Sequence, residues 1–341
     1  MTFGLQDLAV PILGAPMAGG PSTPALAAAV SNAGGLGFVA AGYLSAEKFA
    51  EIVVAARALT SAPIGVNLFV PGPSAATPGE LERYRELLAP LAEQYGAEVP
   101  EPRPDDDAWQ AKLDVVADLA PEVASFTFGC PSAEVLGRLR DRGVLTAVTV
   151  TSLDEANTAV SAGTDALVVQ GPEAGGHRGT FDPVARPGDE PLDGLLAAIV
   201  AAHRVPVIAA GGLAGAADVR RVLGAGAAAA QAGTAFLLSD EAGTNGAHRA
   251  ALTDEKFTET VVTRAFSGRY ARGLANDFTR RYDDVAPLGY PEVNQMTGPL
   301  RRASVAAGDP HGTNLWAGTS WRRTSSGSAA DIVAALAGEI G

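Results

Sequence analysis

One histidine of the sequence stands in a setting suited to catalysis. His177 lies in the segment QGPEAGGHRGTF, residues 170–181, next to Gly175 and Gly176. An imidazole titrates near neutral pH, so it can act as a base, an acid or a hydrogen-bond donor. Gln170, at the start of the segment, offers a donor and an acceptor that suit an amide-bearing heterocycle. A lone histidine is usually structural, but the flanking glycines favour a catalytic role here because they let the chain pass close to a flat ligand.

Two further loops have the composition of a phosphate site. Gly211 and Gly212 follow the apolar run VPVIAA, and the next apolar run leads into a second loop. That second loop contains Gln231, Ala232, Gly233 and Thr234. Glycines let backbone amides approach an anion closely, and a threonine hydroxyl can donate another hydrogen bond. Either loop alone could simply make a tight turn, but two in succession favour phosphate binding.

Polar or close-approach residues also accompany other apolar runs. Asn67 lies within GVNLF, where a buried side-chain amide needs a partner, and Met17 follows the first apolar run. Together with His177 and Gln170 they describe a site that holds a phosphate at one side and a planar, amide-bearing ring at its centre. FMN has both parts, so the sequence predicts an FMN site. The single cysteine, Cys130, has no neighbouring base, so we do not expect it to act as a nucleophile. The four histidines and this cysteine lack metal-ligand spacing, so we expect no metal.

Short apolar runs alternate with alanine-rich amphipathic stretches along most of the chain, which is typical of βα repeats. The predicted strands are Pro11–Ala15, Gly37–Ala40, Ile64–Phe69, Val123–Phe128, Leu145–Thr149, Ala166–Val169, Val207–Ala210 and Ala228–Gln231. The predicted helices are 24–33, 45–58, 109–119, 132–141, 152–162, 192–203 and 215–224. Eight such units close into a (β/α)8 TIM barrel, an α/β fold with its reactive face at the carboxyl ends of the strands. An open doubly wound sheet is the alternative, disfavoured by the lack of a nucleotide fingerprint after the first strand.

The chain is longer than a bare barrel requires. Its 341 residues exceed the roughly 250 of a typical α/β barrel, and two segments interrupt the βα alternation. Residues 71–108 are predicted to form a loop-plus-helix excursion, in which Asp105–Asp107 cap the following helix. We expect an FMN-binding barrel over 1–239, a polar, arginine-rich insert over 240–328 that covers the active site, and a C-terminal helix over 329–341 that returns to the barrel.

The charge balance argues against some classes of partner. With 25 Lys+Arg against 38 Asp+Glu the net charge is −13, so we expect no binding to nucleic acid or to an anionic membrane. The arginine pairs at 280–281, 301–302 and 322–323 are interpreted as surface groups or loop anchors, and His248 as solvent-facing or capping. One cysteine and no signal-peptide pattern favour a reducing, cytoplasmic location.

The motifs resemble the nitronate monooxygenase family, formerly called 2-nitropropane dioxygenases, along nearly the whole chain. They are APMAGG at 15–20, GVNLF at 65–69, SFTFG at 125–129, GPEAGGHRG at 171–179, PVIAAGGL at 206–213, QAGTAFL at 231–237, FSGRYARGL at 266–274 and LWAGTSW at 315–321. The EAGGH segment in combination with the two glycine loops is the specific part. Two residues depart from the family pattern, because Tyr270 stands where a proline is expected and Ala232 replaces methionine or valine.

This resemblance implies an FMN-binding barrel with a smaller, mainly helical domain inserted near the C-terminus. The residues it implies as FMN contacts are Asn67, Gln170, Gly175, Gly212 and 231–234, with Met17 nearby. His177 would be the active-site histidine. Family members oxidise alkyl nitronates such as propionate 3-nitronate with O2, releasing nitrite and a carbonyl compound without a nicotinamide cofactor. The resemblance thus implies an enzyme that oxidises nitronates or nitroalkanes. The oligomeric state stays open, and a homodimer is one expectation.

Two other functions stay open. The FMN-dependent enoyl-ACP reductase of the same superfamily shares the EAGGH segment and the barrel, but it uses NADH and reduces an acyl double bond. The HRGTF continuation at 177–181 and the long C-terminal insert favour the nitronate enzyme. The second alternative is a barrel that binds a phosphate-bearing ligand without catalysis.

Overall fold

The computed structural model describes residues 3–338. Its strands are β1 (Ile12–Gly14), β2 (Gly37–Ala40), β3 (Ile64–Phe69), β4 (Val123–Thr127), β5 (Leu145–Val150), β6 (Ala166–Gln170), β7 (Gly176–His177), β8 (Val207–Ala210), β9 (Ala229–Ala232), β10 (Thr260–Thr263) and β11 (Ala271–Leu274). Its α-helices are α1 (Pro24–Asn32), α2 (Ala46–Leu59), α3 (Pro78–Tyr95), α4 (Trp109–Leu119), α5 (Ala133–Asp141), α6 (Leu153–Ala162), α7 (Leu192–Ala202), α8 (Ala216–Gly224), α9 (Gly246–Thr253), α10 (Asp277–Tyr282), α11 (Glu292–Ala306) and α12 (Ala329–Ala337). No helix within these residues is long and apolar enough to span a bilayer.

Eight parallel strands form the predicted TIM barrel. Their order is β1–β9–β8–β6–β5–β4–β3–β2. The two ends of this sheet meet where Leu13 pairs with Leu36, and the Gly14 amide donates to the Leu36 carbonyl at 3.0 Å. The predicted barrel is therefore confirmed, and each predicted strand lies within one or two residues of an observed one.

The barrel strands are buried on both faces, because helices cover the outside and side chains fill the inside. Successive residues point to opposite faces of a strand. Ala147 and Val168 accordingly belong to the cluster inside the barrel, whereas their neighbours Val148 and Leu167 pack in the larger cluster that includes the helices. This double burial explains why the strands read as nearly continuous apolar runs.

Side-chain caps mark the starts of several predicted helices. The hydroxyls of Thr23, Ser45 and Ser152 accept backbone N–H bonds at the starts of α1, α2 and α6. The prediction that Asp105–Asp107 cap α4 is wrong. The N-cap of α4 is Ala108, in a left-handed conformation without a side-chain cap, because the carboxylate of Asp107 is used elsewhere.

The two segments that exceed a bare barrel pack on each other. Helix α3, from the excursion at 71–108, contributes Tyr84 and Leu88 to one apolar cluster with Phe266, Met296 and Leu300 from the later segment. We call residues 71–108 and 240–328 together the cap. The contact between these two segments was not predicted, because nothing local in an amphipathic helix specifies which distant helix it will contact.

The later part of the cap leaves and rejoins the barrel at one place. Ser239 pairs with Gly327, and the Asp240 amide donates to the Gly327 carbonyl at 2.9 Å. Between these points the segment contains helices α9, α10 and α11 and the antiparallel strands β10 and β11. Helix α12 then packs against α1 and α8 through Ile332, Val333 and Leu336. Residues 339–341 of the predicted terminal helix lie outside the described residues.

Candidate active site

The loop that carries His177 is held by the cap on one side and by the barrel on the other. Strand β7 pairs antiparallel with β11, so that His177 lies opposite Ala271. From the barrel side, Gln170 Nε2 donates to the His177 carbonyl at 3.0 Å, and Gln170 Oε1 accepts from the Gly179 amide at 2.9 Å. Gln170, predicted as a cofactor contact, therefore fixes the His177 loop and retains one N–H and one lone pair for a ligand.

The imidazole of His177 lies among three aromatic rings. Its ring centroid is 5.5 Å from those of Phe128 and Trp316 and 6.2 Å from that of Tyr290. Its Nε2 lies 2.8 Å from Ser267 Oγ. Sequence reasoning assigned none of these four partners, although Ser267 and Trp316 fall within motifs that carried the family resemblance. Phe128 offered a positional signal, because it directly follows β4 at the carboxyl end of the barrel.

Burial and positive charge keep the His177 imidazole neutral. Burial lowers its pKa to about 3, and Arg269 and then Arg301 contribute in the same direction. The buried Arg269 guanidinium lies 4.3 Å from the centre of the Phe128 ring and donates to the Thr180 carbonyl at 2.9 Å. Its own pKa, lowered by burial to about 10, still leaves it charged at neutral pH. The site thus combines a neutral imidazole with a cation, which suits an anionic ligand.

Of the two interpretations of the arginine pairs, surface group or loop anchor, Arg301 fits the second. Its guanidinium donates to the side-chain oxygens of Asn294 and Asn314, at 2.7 Å and 3.1 Å, and its Nε is buried without a partner among the described residues. Arg302, the other member of the pair, is exposed. Arg301 is half-buried and acts on the pKa of His177, an environment that no local pattern in the sequence predicts.

Tyr43 and Asp107 connect the first part of the cap to this site. Asp107 Oδ1 accepts from the Tyr43 amide at 2.9 Å, and Asp107 Oδ2 lies 2.7 Å from Lys112 Nζ, whose side chain is 1% exposed. The Tyr43 ring packs on that of Phe69, with 5.5 Å between the ring centroids, and Phe69 packs in turn on Phe128 at 4.6 Å. Burial raises the pKa of Tyr290 well above its ordinary value, so its hydroxyl keeps its proton.

Two predicted cofactor contacts present free polar atoms. Asn67 Nδ2 donates to Ser125 Oγ at 3.0 Å and Thr127 Oγ1 at 3.2 Å, while Asn67 Oδ1 has no partner in the described part of the chain. The amide of Gln231, at the end of β9, likewise makes no side-chain hydrogen bond within residues 3–338. Asn67 is therefore an oriented acceptor and Gln231 an unused donor and acceptor at the barrel strands.

The two predicted phosphate loops have the backbone geometry that an anion site needs. Gly211 and Gly212 have φ values of +119° and +71°, which other residues rarely adopt. Their amides donate to no group among residues 3–338. Thr234 Oγ1 accepts from the Gly318 amide at 2.9 Å, which leaves the hydroxyl proton available. Met17 borders this region, because a Cβ built on Gly233 would lie 3.6 Å from its Sδ.

The structure gives Gly175 a second reason to lack a side chain, beside the predicted FMN contact. A Cβ at this position would lie 2.5 Å from the Ala317 carbonyl carbon and from the Gly318 nitrogen. The missing side chain thus makes room for the LWAGTSW segment of the cap. Tyr270, the departure from the family pattern, accepts from the Arg178 amide through its carbonyl, and its ring contacts Arg264.

His248 and the possibility of a metal site are the remaining histidine predictions. His248 is 5% exposed and burial lowers its pKa to about 4, so the prediction that it faces solvent or caps a helix is wrong. Within the described residues, no three His, Cys, Asp or Glu side chains are arranged to hold a metal ion.

Comparisons with known proteins agree on one family. The family model described as nitronate monooxygenase matches residues 4–339. A nitronate monooxygenase of Paraburkholderia phytofirmans is 41% identical over 97% of this chain and 92% of its own. The solved nitroalkane oxidase of Streptomyces ansochromogenes is 45% identical, with a TM-score of 0.94 over 98% of this chain and 97% of its own. FabK of Thermotoga maritima is less similar, at 25% identity and a TM-score of 0.75 over 97% and 93%.

Proposed function

The chain belongs to the nitronate monooxygenase family, and from that premise we propose that it oxidises alkyl nitronates with O2 through bound FMN, giving nitrite and a carbonyl compound. It is a flavin oxidoreductase, as its family and relatives indicate. The observation that carries the substrate assignment is the neutral His177 beside the buried Arg269. A nitronate is an anion with hydrogen-bond-accepting oxygens, so it matches this pairing of a cation with an uncharged imidazole.

FMN fits the groups present. The free Asn67 Oδ1 can accept from an N–H at the edge of the ring system, and the Gln231 amide can bond to its other polar edge atoms. The unpaired amides of Gly211 and Gly212 and the hydroxyl of Thr234 suit the phosphate. When bound, FMN supplies the electron acceptor and the route of the electrons to O2.

Arg269 would bind the substrate, and His177 would act on its proton. Arg269 would balance the negative charge of the nitronate and donate hydrogen bonds to its oxygens. With a neutral nitroalkane, the unprotonated nitrogen of His177 would take the α-proton. Phe128, Tyr290 and Trp316 enclose the imidazole, and so limit the access of water to the reacting atoms.

The organisation of the chain supports a division of labour. The barrel within 1–239 would bind FMN, the 240–328 part of the cap would select the substrate, and 329–341 would complete the barrel. We propose no role in nucleic-acid binding, because the net charge is −13. From the single cysteine we also propose that the protein is cytoplasmic. We propose in addition that it forms a homodimer. Light scattering on the purified protein tests the dimer.

Substrate oxidation by the purified enzyme tests the proposed function. The extracted cofactor should be FMN by mass, and O2 uptake with nitrite release should depend on propionate 3-nitronate or a nitroalkane. His177→Ala should keep FMN and lose at least about a hundredfold in turnover. Anaerobic flavin reduction by NADH, with turnover of an enoyl thioester and none of nitronates, would instead establish the reductase. Colourless protein that takes up no FMN would establish a non-catalytic barrel.

A further inference from the structure

Ser267 makes three hydrogen-bond contacts that constrain where the protons of the site lie. It is 1% exposed, in the loop between β10 and β11. Its Oγ lies 2.8 Å from His177 Nε2, 3.2 Å from the Arg269 carbonyl oxygen and 3.3 Å from the Arg269 nitrogen. The hydroxyl has one proton to donate and two lone pairs to accept with.

The buried backbone of Arg269 decides how that one proton is used. The Arg269 carbonyl can only accept, and Ser267 is its donor within the described residues. The Arg269 N–H can only donate, and Ser267 Oγ accepts from it. If the Ser267 hydroxyl donates its proton to the Arg269 carbonyl, then His177 Nε2 must donate in its contact with Ser267 Oγ. The opposite assignment leaves a buried carbonyl unpaired, which costs about 1–3 kcal/mol.

We propose that Ser267 is a positioning residue that holds His177 in the tautomer with its proton on Nε2, so that Nδ1 is the nitrogen that acts on the substrate. Nδ1 has no hydrogen-bond partner among residues 3–338, which leaves its lone pair free. The inference rests on the proposed function only for the catalytic use of Nδ1. The tautomer itself follows from the three contacts.

This arrangement makes the cap part of the acid–base chemistry. Gln170 of the barrel holds the backbone of His177, and Ser267 of the cap sets the position of its proton. A neutral imidazole carries a proton on one nitrogen only, and the burial that lowers the pKa of His177 keeps it in that form. Displacing the 266–274 segment would therefore disturb the base as well as the pocket.

The experiment reads the tautomer directly. Holoenzyme labelled with 15N-histidine is studied by long-range 1H–15N correlation, which separates protonated from unprotonated ring nitrogens. His177→Gln assigns its signals among the four histidines. Wild type should show a protonated Nε2 and an unprotonated Nδ1. Ser267→Ala should show a mixture or the opposite tautomer, and its kcat on a nitroalkane should fall about a hundredfold, with KM changing much less.

Ser304→Ala is the matched control, because Ser304 is also buried in the cap and donates to a backbone carbonyl, that of Asp309. It should leave the His177 signals and kcat unchanged. A protonated Nδ1 in wild type would overturn the proposal, as would a Ser267→Ala enzyme with unaltered tautomer and kcat. If Ser267→Ala does not fold, the wild-type spectrum alone decides. Wild type that turns over no nitronate but shows the Nε2 proton would refute the proposed function and not the tautomer.

Discussion

Mild acid should destabilise this enzyme through His177, and the size of the effect follows from where the imidazole lies. Burial, together with Arg269 and Arg301, lowers its pKa from 6.5 to about 3 in the folded protein. The unfolded chain takes up a proton at higher pH than the folded one. The contribution of His177 to stability is therefore complete above about pH 6.5, and it is lost as the pH falls toward 3.

The expected loss can be worked out from these two pKa values. Between about pH 7.5 and about pH 5 the unfolded imidazole becomes almost fully protonated while the folded one stays neutral. Linkage then gives a loss of about 2 kcal/mol in the free energy of unfolding. The result depends mainly on the pKa of the imidazole in the unfolded chain, because the pKa of His177 in the folded protein lies far below 5. His248, with a pKa lowered to about 4, should lose a similar amount over the same interval.

Urea unfolding of the holoenzyme at the two pH values measures this loss. His177→Gln removes the titrating group, so its stability should fall by about 2 kcal/mol less than that of wild type. Ser304→Ala, which removes a buried hydroxyl and no titrating group, should show the wild-type difference between the two pH values. If His177→Gln lost as much stability as wild type, the His177 imidazole would not stay neutral in the folded protein, and its proposed role as an uncharged base would fail.

Three other variants test the site and its support. Gly175→Ala should lower flavin content and cost about 1–3 kcal/mol in stability, because its Cβ would lie 2.5 Å from backbone atoms, whereas Gly72→Ala enters open space and should change neither. Asn67→Ala should weaken FMN binding about tenfold in a fluorescence titration of the flavin-free protein, and unchanged affinity would remove Asn67 from the site. Asp107→Ala should cost about 3–5 kcal/mol by urea unfolding, since it leaves the Lys112 ammonium buried and unpaired. Adding Lys112→Met should recover much of that loss, and equal stabilities of the single and double variants would contradict the ion-pair argument.

The sequence predicts the barrel well because the signals involved are local. Apolar runs of strand length, amphipathic stretches and capping residues such as Ser45 each depend on a few neighbouring positions. The His177 segment and the glycine loops stand out for the same reason, since their unusual composition is contiguous. Where one local feature had several uses, the prediction went astray, as with the Asp105–Asp107 run that was expected to cap α4.

The environment of His177 depends on contacts between residues far apart in the chain. Phe128 comes from the end of β4, Ser267 from the loop before β11, and Trp316 from a segment after α11. The periodicity of a helix shows that it has an apolar face but not which surface covers that face, so the pairing of α3 with α11 is absent from the sequence signal.

The sequence by itself therefore determined the barrel, and it singled out the two glycine loops and His177 as the candidate site. Only the tertiary structure decided that Gln170 holds the loop, that Arg301 is half-buried near the site, and that Ser267 contacts the imidazole. The physical reason is the same in each case. A hydrogen bond or a pKa depends on distances of a few ångströms between groups that the chain brings together only when the cap packs on the barrel.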